Sequence, residues 1–322
     1  MNVAQRIWTS STTSDSRLKS LLVYGFMPEE TGGQLKPAPG AAFHIGMACV
    51  CLATIPMTYA GSRLASIQLD ITGSAIAMLM LFAILAPLPI YWHQRGWIVL
   101  REATLVIAWE LLLPAMIPPL VLIAARSHLP LQDSFLVHAD HTLGFDVPRL
   151  AAWAHRYWIG PFLDACYVWG VRLLPVAALA PVLAGKIRHA REFLLANVIA
   201  FVIGLPLFAL LPAVGPWYSS HTAPTVGQLT CQNYLLSLRV PGPYVAHLQP
   251  AGIICFPSFH VIWAILCAAA LWGFRPLRIP LALFSAMVIL STMTTGWHYL
   301  TDVLAGIAVA YVSLAIARVY AV

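Results

Sequence analysis

Two histidines and one carboxylate are the residues here whose types and spacing can do chemistry. His298 and Asp302 stand four residues apart in Gly296-Trp297-His298-Tyr299-Leu300-Thr301-Asp302. On a helix that spacing places both on one face, one turn apart. A carboxylate there can hold one imidazole N–H, fix the tautomer and stabilise the imidazolium. The other ring nitrogen is then free as a nucleophile or base. A buried polar pair linking two helices would use the same residues. His260 follows Phe256-Pro257-Ser258-Phe259, which opens a separate apolar run. Proline suits the start of a helix, and Ser258 suits the cap. The free N–H groups and positive dipole end of such a terminus favour an anion such as phosphate. His260 is expected one turn in, facing the same pocket; a histidine at a membrane interface is the plainer alternative.

The elements that must position these residues are membrane spans. The chain has 322 residues, of which 60% are hydrophobic and only 9% charged. A soluble domain carries roughly 25% charged residues. The apolar residues come in continuous runs near the roughly 20 residues a crossing helix needs, which excludes a strand barrel with alternating faces. About eight spans are expected, near 41–60, 73–92, 102–124, 162–183, 193–212, 257–273, 280–296 and 299–319. The fold class is therefore all-α, a polytopic transmembrane helix bundle. An interfacial helical segment is expected over 126–160 and a long non-cytoplasmic loop over 213–256. Residues 1–40 read as a polar cytoplasmic tail without a cleavable leader, 41–125 as N-terminal spans and 126–322 as the catalytic membrane domain.

The net charge of +6 reports topology rather than nucleic acid. Basic clusters at 95–101, 186–191 and 275–278, with Arg318, all fall on one side if the N-terminus is cytoplasmic. Spans six and eight then both start on the opposite side, so His260, His298 and Asp302 share a membrane level. Ionisable groups inside spans are costly and usually functional. Of the six cysteines, Cys231 and Cys255 lie in the long loop and could pair in an oxidising compartment.

Pro257-Ser258-Phe259-His260 and, one span later, His298-Tyr299-Leu300-Thr301-Asp302 resemble the type-2 phosphatidic acid phosphatase superfamily. The pattern is most similar to its branch related to inositol phosphorylceramide synthases. Leu143-Gly144-Phe145-Asp146, Ala213-Val214-Gly215-Pro216 and the Gly296 to Gly306 stretch carry the branch resemblance, which covers about 131–315. The resemblance implies that His298 attacks phosphorus, that Asp302 orients and charges it, and that His260 protonates the leaving oxygen. It implies no metal and no cofactor. It also implies a membrane lipid as substrate and a lipid alcohol or water as acceptor, while the charge pattern puts the site on the non-cytoplasmic side. Ser258, Gly215, Pro216, Tyr218, Arg239, Asp146 and Tyr299 form the expected substrate-binding set.

The sequence departs from the superfamily in its phosphate-clamping cations. The Lys and Arg-Pro motif is missing, and Ser291-Thr292 stands where Ser-Arg is usual. Arg239, His247 and backbone N–H groups near Gly215 and Ser258 are the replacement donors to consider. Asp133, Asp140 and Asp146 with His141 read as a solvated interfacial face, or else as a metal site or lid. Glu110, Asp164, Arg172 and Asn197 lie within spans and either pair between helices or line the site. Two other classes make different demands. A transporter would show paired broken helices in two matching halves, and a haem or metal bundle would bury its histidines mid-span.

Overall fold

The computed structural model describes residues 40–70, 73–220, 222–247 and 252–321. The polar tail expected over 1–40 lies outside these apart from Gly40. In chain order the helices are α1 (Ala41–Leu64), α2 (Gly73–Leu85), α3 (Leu88–Gln94), α4 (Ile98–Ala125), α5 (Asp133–Thr142), α6 (Val147–Ala154), α7 (Ile159–Arg172), α8 (Leu174–Leu183), α9 (Ile187–Leu210), α10 (Pro216–Ser220), α11 (Val226–Leu238), α12 (Phe259–Leu271), α13 (Arg278–Thr294) and α14 (Leu300–Tyr320). Two four-residue strands, β1 (Ile67–Asp70) and β2 (Tyr244–His247), pair in parallel. The protein is an all-α polytopic bundle.

Among the described residues six helical stretches are long and apolar enough to cross a membrane, α2 and α3 together making one of them (Ile76–Gln94), or seven if the pair α7 and α8, bent by 49°, makes one span. The remaining expected span is α12, which has only 13 residues. At 1.5 Å per residue it is roughly 20 Å long, short of a hydrocarbon core. It does not need to match the lipid, because it packs on α7, α8, α9, α13 and α14. Phe259, Val261, Ile262, Ala264, Leu266, Cys267 and Ala270 are all buried. A helix apolar all round belongs inside a bundle. The outer faces expose Leu52, Ile84, Leu283 and Val319, which in a bilayer meet hydrocarbon rather than water.

The basic clusters gather at one end. Arg188 donates to the carbonyl of Arg318. Lys186 lies over the Phe274 ring, and Arg101 and Arg191 both bind the buried Glu102. α12 and α14 finish at that end and begin at the other, where His260 and His298 sit. The interfacial segment at that other end is helical, as α5 and α6. The loop expected over 213–256 is more ordered than its composition implied. It holds α10, α11 and β2, and a capping box at Thr225 and Gln228 starts α11. Arg126 ties this layer down by donating to the carbonyls of Ala65, Leu238 and Gly242.

Candidate active site

His298 is buried but does not lie on a helix. α14 begins at Leu300 with Tyr299 at its cap, so the expected one-face geometry is replaced by a folded-back cap. Asp302 accepts from the Tyr299 backbone N–H at 2.9 Å, and this brings its Oδ2 to 3.4 Å from His298 Nδ1. The shorter partner of that nitrogen is the Cys255 carbonyl, at 2.9 Å. A carbonyl can only accept, so Nδ1 carries the proton and Nε2 is the free nitrogen. Among the described residues no hydrogen bond reaches Nε2. Sequence reasoning gave this orienting task to Asp302 alone and missed the Cys255 carbonyl.

Cys255 also meets Asp302 through its side chain. Its thiol donates to Asp302 Oδ2 at 3.1 Å. Burial, and next the charge of Asp302, push this thiol well above its ordinary range, so it stays protonated as a donor. Cys231 and Cys255 are both free thiols, so the pairing considered for them is not formed. Cys255, His298 and Asp302 place ligand atoms within 4.8 Å of one another. A soft divalent ion would find thiolate, imidazole and carboxylate there, in competition with the hydrogen bonds just described.

His260 is the second residue of α12, inside its first turn. Its ring centroid is 6.0 Å from that of His298. Tyr167 stacks on it at 3.9 Å, and Trp263 meets it edge-on. Both histidines line one cavity of about 730 Å³, with Tyr167, Trp217, Trp263 and Trp297 among its walls. Trp217 packs against Trp297 at 5.3 Å. Tyr167, Trp263 and Trp297 were not singled out from sequence, because aromatic residues in apolar runs give no signal apart from core packing.

The structure separates the expected substrate-binding residues. Ser258 occupies the cap position of α12, but its hydroxyl makes no cap bond. That hydroxyl is buried without a partner. The Ser258 backbone N–H donates to the carbonyl of Asp302 at 3.1 Å, which locks α12 onto α14. A Cβ at Gly306 would meet the Ser258 carbonyl at 2.7 Å, so only glycine permits this approach. Gly215 is not a free phosphate donor, because its N–H donates to Asp133 at 2.9 Å. Its φ of 146° and the Trp217 ring beneath it leave no room for a side chain. Pro216 opens α10. Tyr218 is on the surface.

Arg239 is a structural tie and not a clamp. Its guanidinium donates to the carbonyls of Ala125 and Leu129, and it is absent from the cavity wall. His247 pairs with Asp70 at the exposed sheet edge. Asp146 caps α6 by accepting from the Arg149 N–H at 3.0 Å. It lines a separate cleft of about 430 Å³ with Asp140 and His141. Tyr299 is buried, donates to Asp133 at 3.0 Å and contacts Ser219 at 2.9 Å.

Asp133 and Asp140 are neither solvated nor arranged as a metal site. Asp133 accepts from the Val214 and Gly215 amides and from Tyr299. Burial pushes its carboxyl up, against the pull of those donors. Asp140 accepts from the Leu300 and Thr301 amides at 2.8 and 2.9 Å and from the Thr301 hydroxyl at 2.6 Å. It therefore fills the anion position at the start of α14. Among the described residues no side chain caps the start of α12, and its first two residues, Phe259 and His260, line the cavity that holds both histidines. Of the residues within spans, Asp164 pairs with His155 at 3.2 Å and Arg172 stacks over Trp169. Glu110 and Asn197 line the cavity.

Comparison with curated proteins and with solved structures gave no match. A family model described as the PAP2 superfamily matches residues 134–316. That stretch holds His260, His298, Asp302, Asp140 and Asp146, and all of the helices packed on α12 except the last turn of α14. It covers more than half of the 322 residues, and the chain belongs to this superfamily of phosphoesterases.

Proposed function

We propose that this protein is a membrane-embedded lipid phosphotransferase that works through a phospho-histidine, with the phosphoester bond held at the non-cytoplasmic end of the bundle. The observation that carries the reading is the pair of imidazoles 6.0 Å apart on one cavity wall, one of them tautomerically fixed with its Nε2 unengaged. Allowing about 3 Å of reach for each ring, a single phosphoryl group fits between them.

In the first half-reaction His298 Nε2 attacks phosphorus and forms a P–N bond. The P–O bond to the leaving lipid alcohol breaks, and that oxygen takes a proton from the His260 imidazolium. In the second, His260 takes the proton of an incoming hydroxyl. The hydroxyl oxygen attacks phosphorus and the P–N bond breaks. The Cys255 carbonyl and Asp302 hold the Nδ1 proton and offset the positive charge that grows on His298. Partial positive charge at the α12 start faces the phosphoryl oxygens. No Lys or Arg lines the cavity among the described residues. That favours a phosphodiester donor, with one negative charge, over a dianionic monoester. It also supports transfer of a phospho-headgroup, inositol phosphate being the model donor, to a lipid alcohol. Hydrolysis is the same path with water as acceptor.

The test is turnover of labelled phosphatidylinositol, phosphatidate and an isoprenoid phosphate by purified protein, with and without a lipid alcohol. His298→Ala and His260→Ala should each lose at least about a hundredfold while eluting as folded protein. Acid-labile, base-stable label on the wild-type chain should vanish in His298→Ala. Wild-type turnover by His298→Ala would refute the assignment.

A further inference from the structure

The floor of the cavity is polar in a way the histidine chemistry does not use. Glu110 and Asn197 both line it, on α4 and α9, which pack together. Glu110 is within electrostatic reach of the Cys267 thiol. Cys267 lies seven residues past His260 on α12, two turns deeper into the bundle. Among the described residues no hydrogen bond or ion pair reaches the Glu110 carboxyl. Asn197 donates its amide N–H to the Phe193 carbonyl at 2.9 Å, which leaves its amide oxygen as an acceptor.

The α4 backbone adds more acceptors. Pro114, Pro118 and Pro119 lie inside the helix. Proline has no N–H, so the carbonyls of Glu110, Pro114 and Ala115 lose their usual helical partners. All three residues line the cavity. These lining residues thus carry unengaged acceptor atoms, and among the described residues no Lys or Arg lines the cavity. An uncompensated acidic side chain at such depth is costly and is the usual mark of a ligand site. A phosphate would be repelled there. The matching ligand presents hydrogen-bond donors and no negative charge.

We propose that Glu110 and Asn197, with the proline-released carbonyls of α4, form a specificity subsite for a hydroxyl group of the substrate other than the one that reacts. The inference rests on the phosphotransfer reading and deepens it. The hydroxyl could belong to the incoming alcohol or to the donor's headgroup, and both are read by the same acceptors.

Two rate ratios separate these sources. For acceptors, mono-oleoylglycerol is compared with oleyl alcohol, which has no second hydroxyl. For donors, phosphatidylinositol is compared with phosphatidylmethanol. Wild type should prefer the hydroxyl-rich member in at least one pair, and Glu110→Leu should cut that preference at least tenfold. Glu110→Gln, which keeps an acceptor oxygen, should restore part of it. A collapsed acceptor ratio assigns the subsite to the alcohol, and a collapsed donor ratio assigns it to the headgroup. A wild-type ratio near one in both pairs overturns the proposal. So does a variant that slows both members equally. If Glu110→Leu does not fold, Asn197→Leu takes its place under the same criteria.

A binding measurement keeps this test apart from failure of the functional reading. Trp217, Trp263 and Trp297 line the cavity, so their fluorescence reports occupancy. Should wild type turn over no donor, quenching by dibromostearoyl monoglyceride is compared with quenching by the dibromostearate methyl ester. Monoglyceride binding weakened at least tenfold in Glu110→Leu, with the ester unaffected, supports the subsite. Equal quenching by both lipids in wild type overturns it.

Discussion

At the scale of single residues the site depends on which nitrogen of His298 is free. Cys255 supplies a backbone carbonyl, which no side-chain substitution removes, and Asp302 supplies the charge. Asp302→Asn should therefore retain the fold and a correctly posed ring while losing the stabilisation of imidazolium. We expect kcat to fall by about 10²-fold or more, with little change in KM. Cys255→Ala removes only the thiol donor and keeps the carbonyl, so its loss in kcat should be much the smaller. Equal losses in the two variants would show that Asp302 acts through packing alone. The histidines and Asp302 were legible in the sequence, because an i, i+4 His/Asp pair and a Pro-Ser-x-His start are compact local patterns. The Cys255 carbonyl was not legible. A main-chain acceptor carries no residue signature, and its partner lies 43 positions away.

At the scale of elements, the two helix starts differ. Asp140 caps the start of α14, and among the described residues no side chain caps the start of α12, whose first residues line the cavity with both imidazoles. Asp140 is almost fully buried, so Asp140→Ala leaves the half-buried Leu300 and Thr301 amides without acceptors. The cost should be about 1–3 kcal/mol, read as a lower unfolding midpoint in detergent, and kcat should fall because Tyr299 and His298 precede that helix directly. Asp140→Asn, which keeps one acceptor oxygen, should recover part of both; an unchanged midpoint in Asp140→Ala would remove Asp140 from this role. Sequence reasoning placed the spans well because long apolar runs have few alternatives in a chain this poor in charge. It misjudged the aspartates of α5, since a carboxylate spent on another helix's amides looks, in one dimension, like a solvated one. It also over-read Arg239: a cation was missing from the motif, and the nearest arginine in the loop was already engaged by backbone carbonyls.

For the whole molecule, the basic end and the histidine end lie at opposite faces of the bundle, so the proposed reaction is expected on one side of the membrane only. His141→Cys, exposed on α5, should react with an impermeant maleimide on intact cells. Ala184→Cys, exposed at the basic end, should react only after the cells are opened. The reverse pattern would turn the protein over. That no Lys or Arg among the described residues lines the cavity has a thermodynamic consequence of its own. An anion entering such walls must bring its neutralising charge along, and in the proposed mechanism His260 acquires it as a proton while His298 Nε2 stays free to attack. Uptake of one proton per phosphodiester bound makes apparent affinity a function of acidity: KM should climb by about tenfold per pH unit once the free imidazole has lost its proton. Ionic strength should matter little, since that charge is carried inside the bundle and not displayed at its surface.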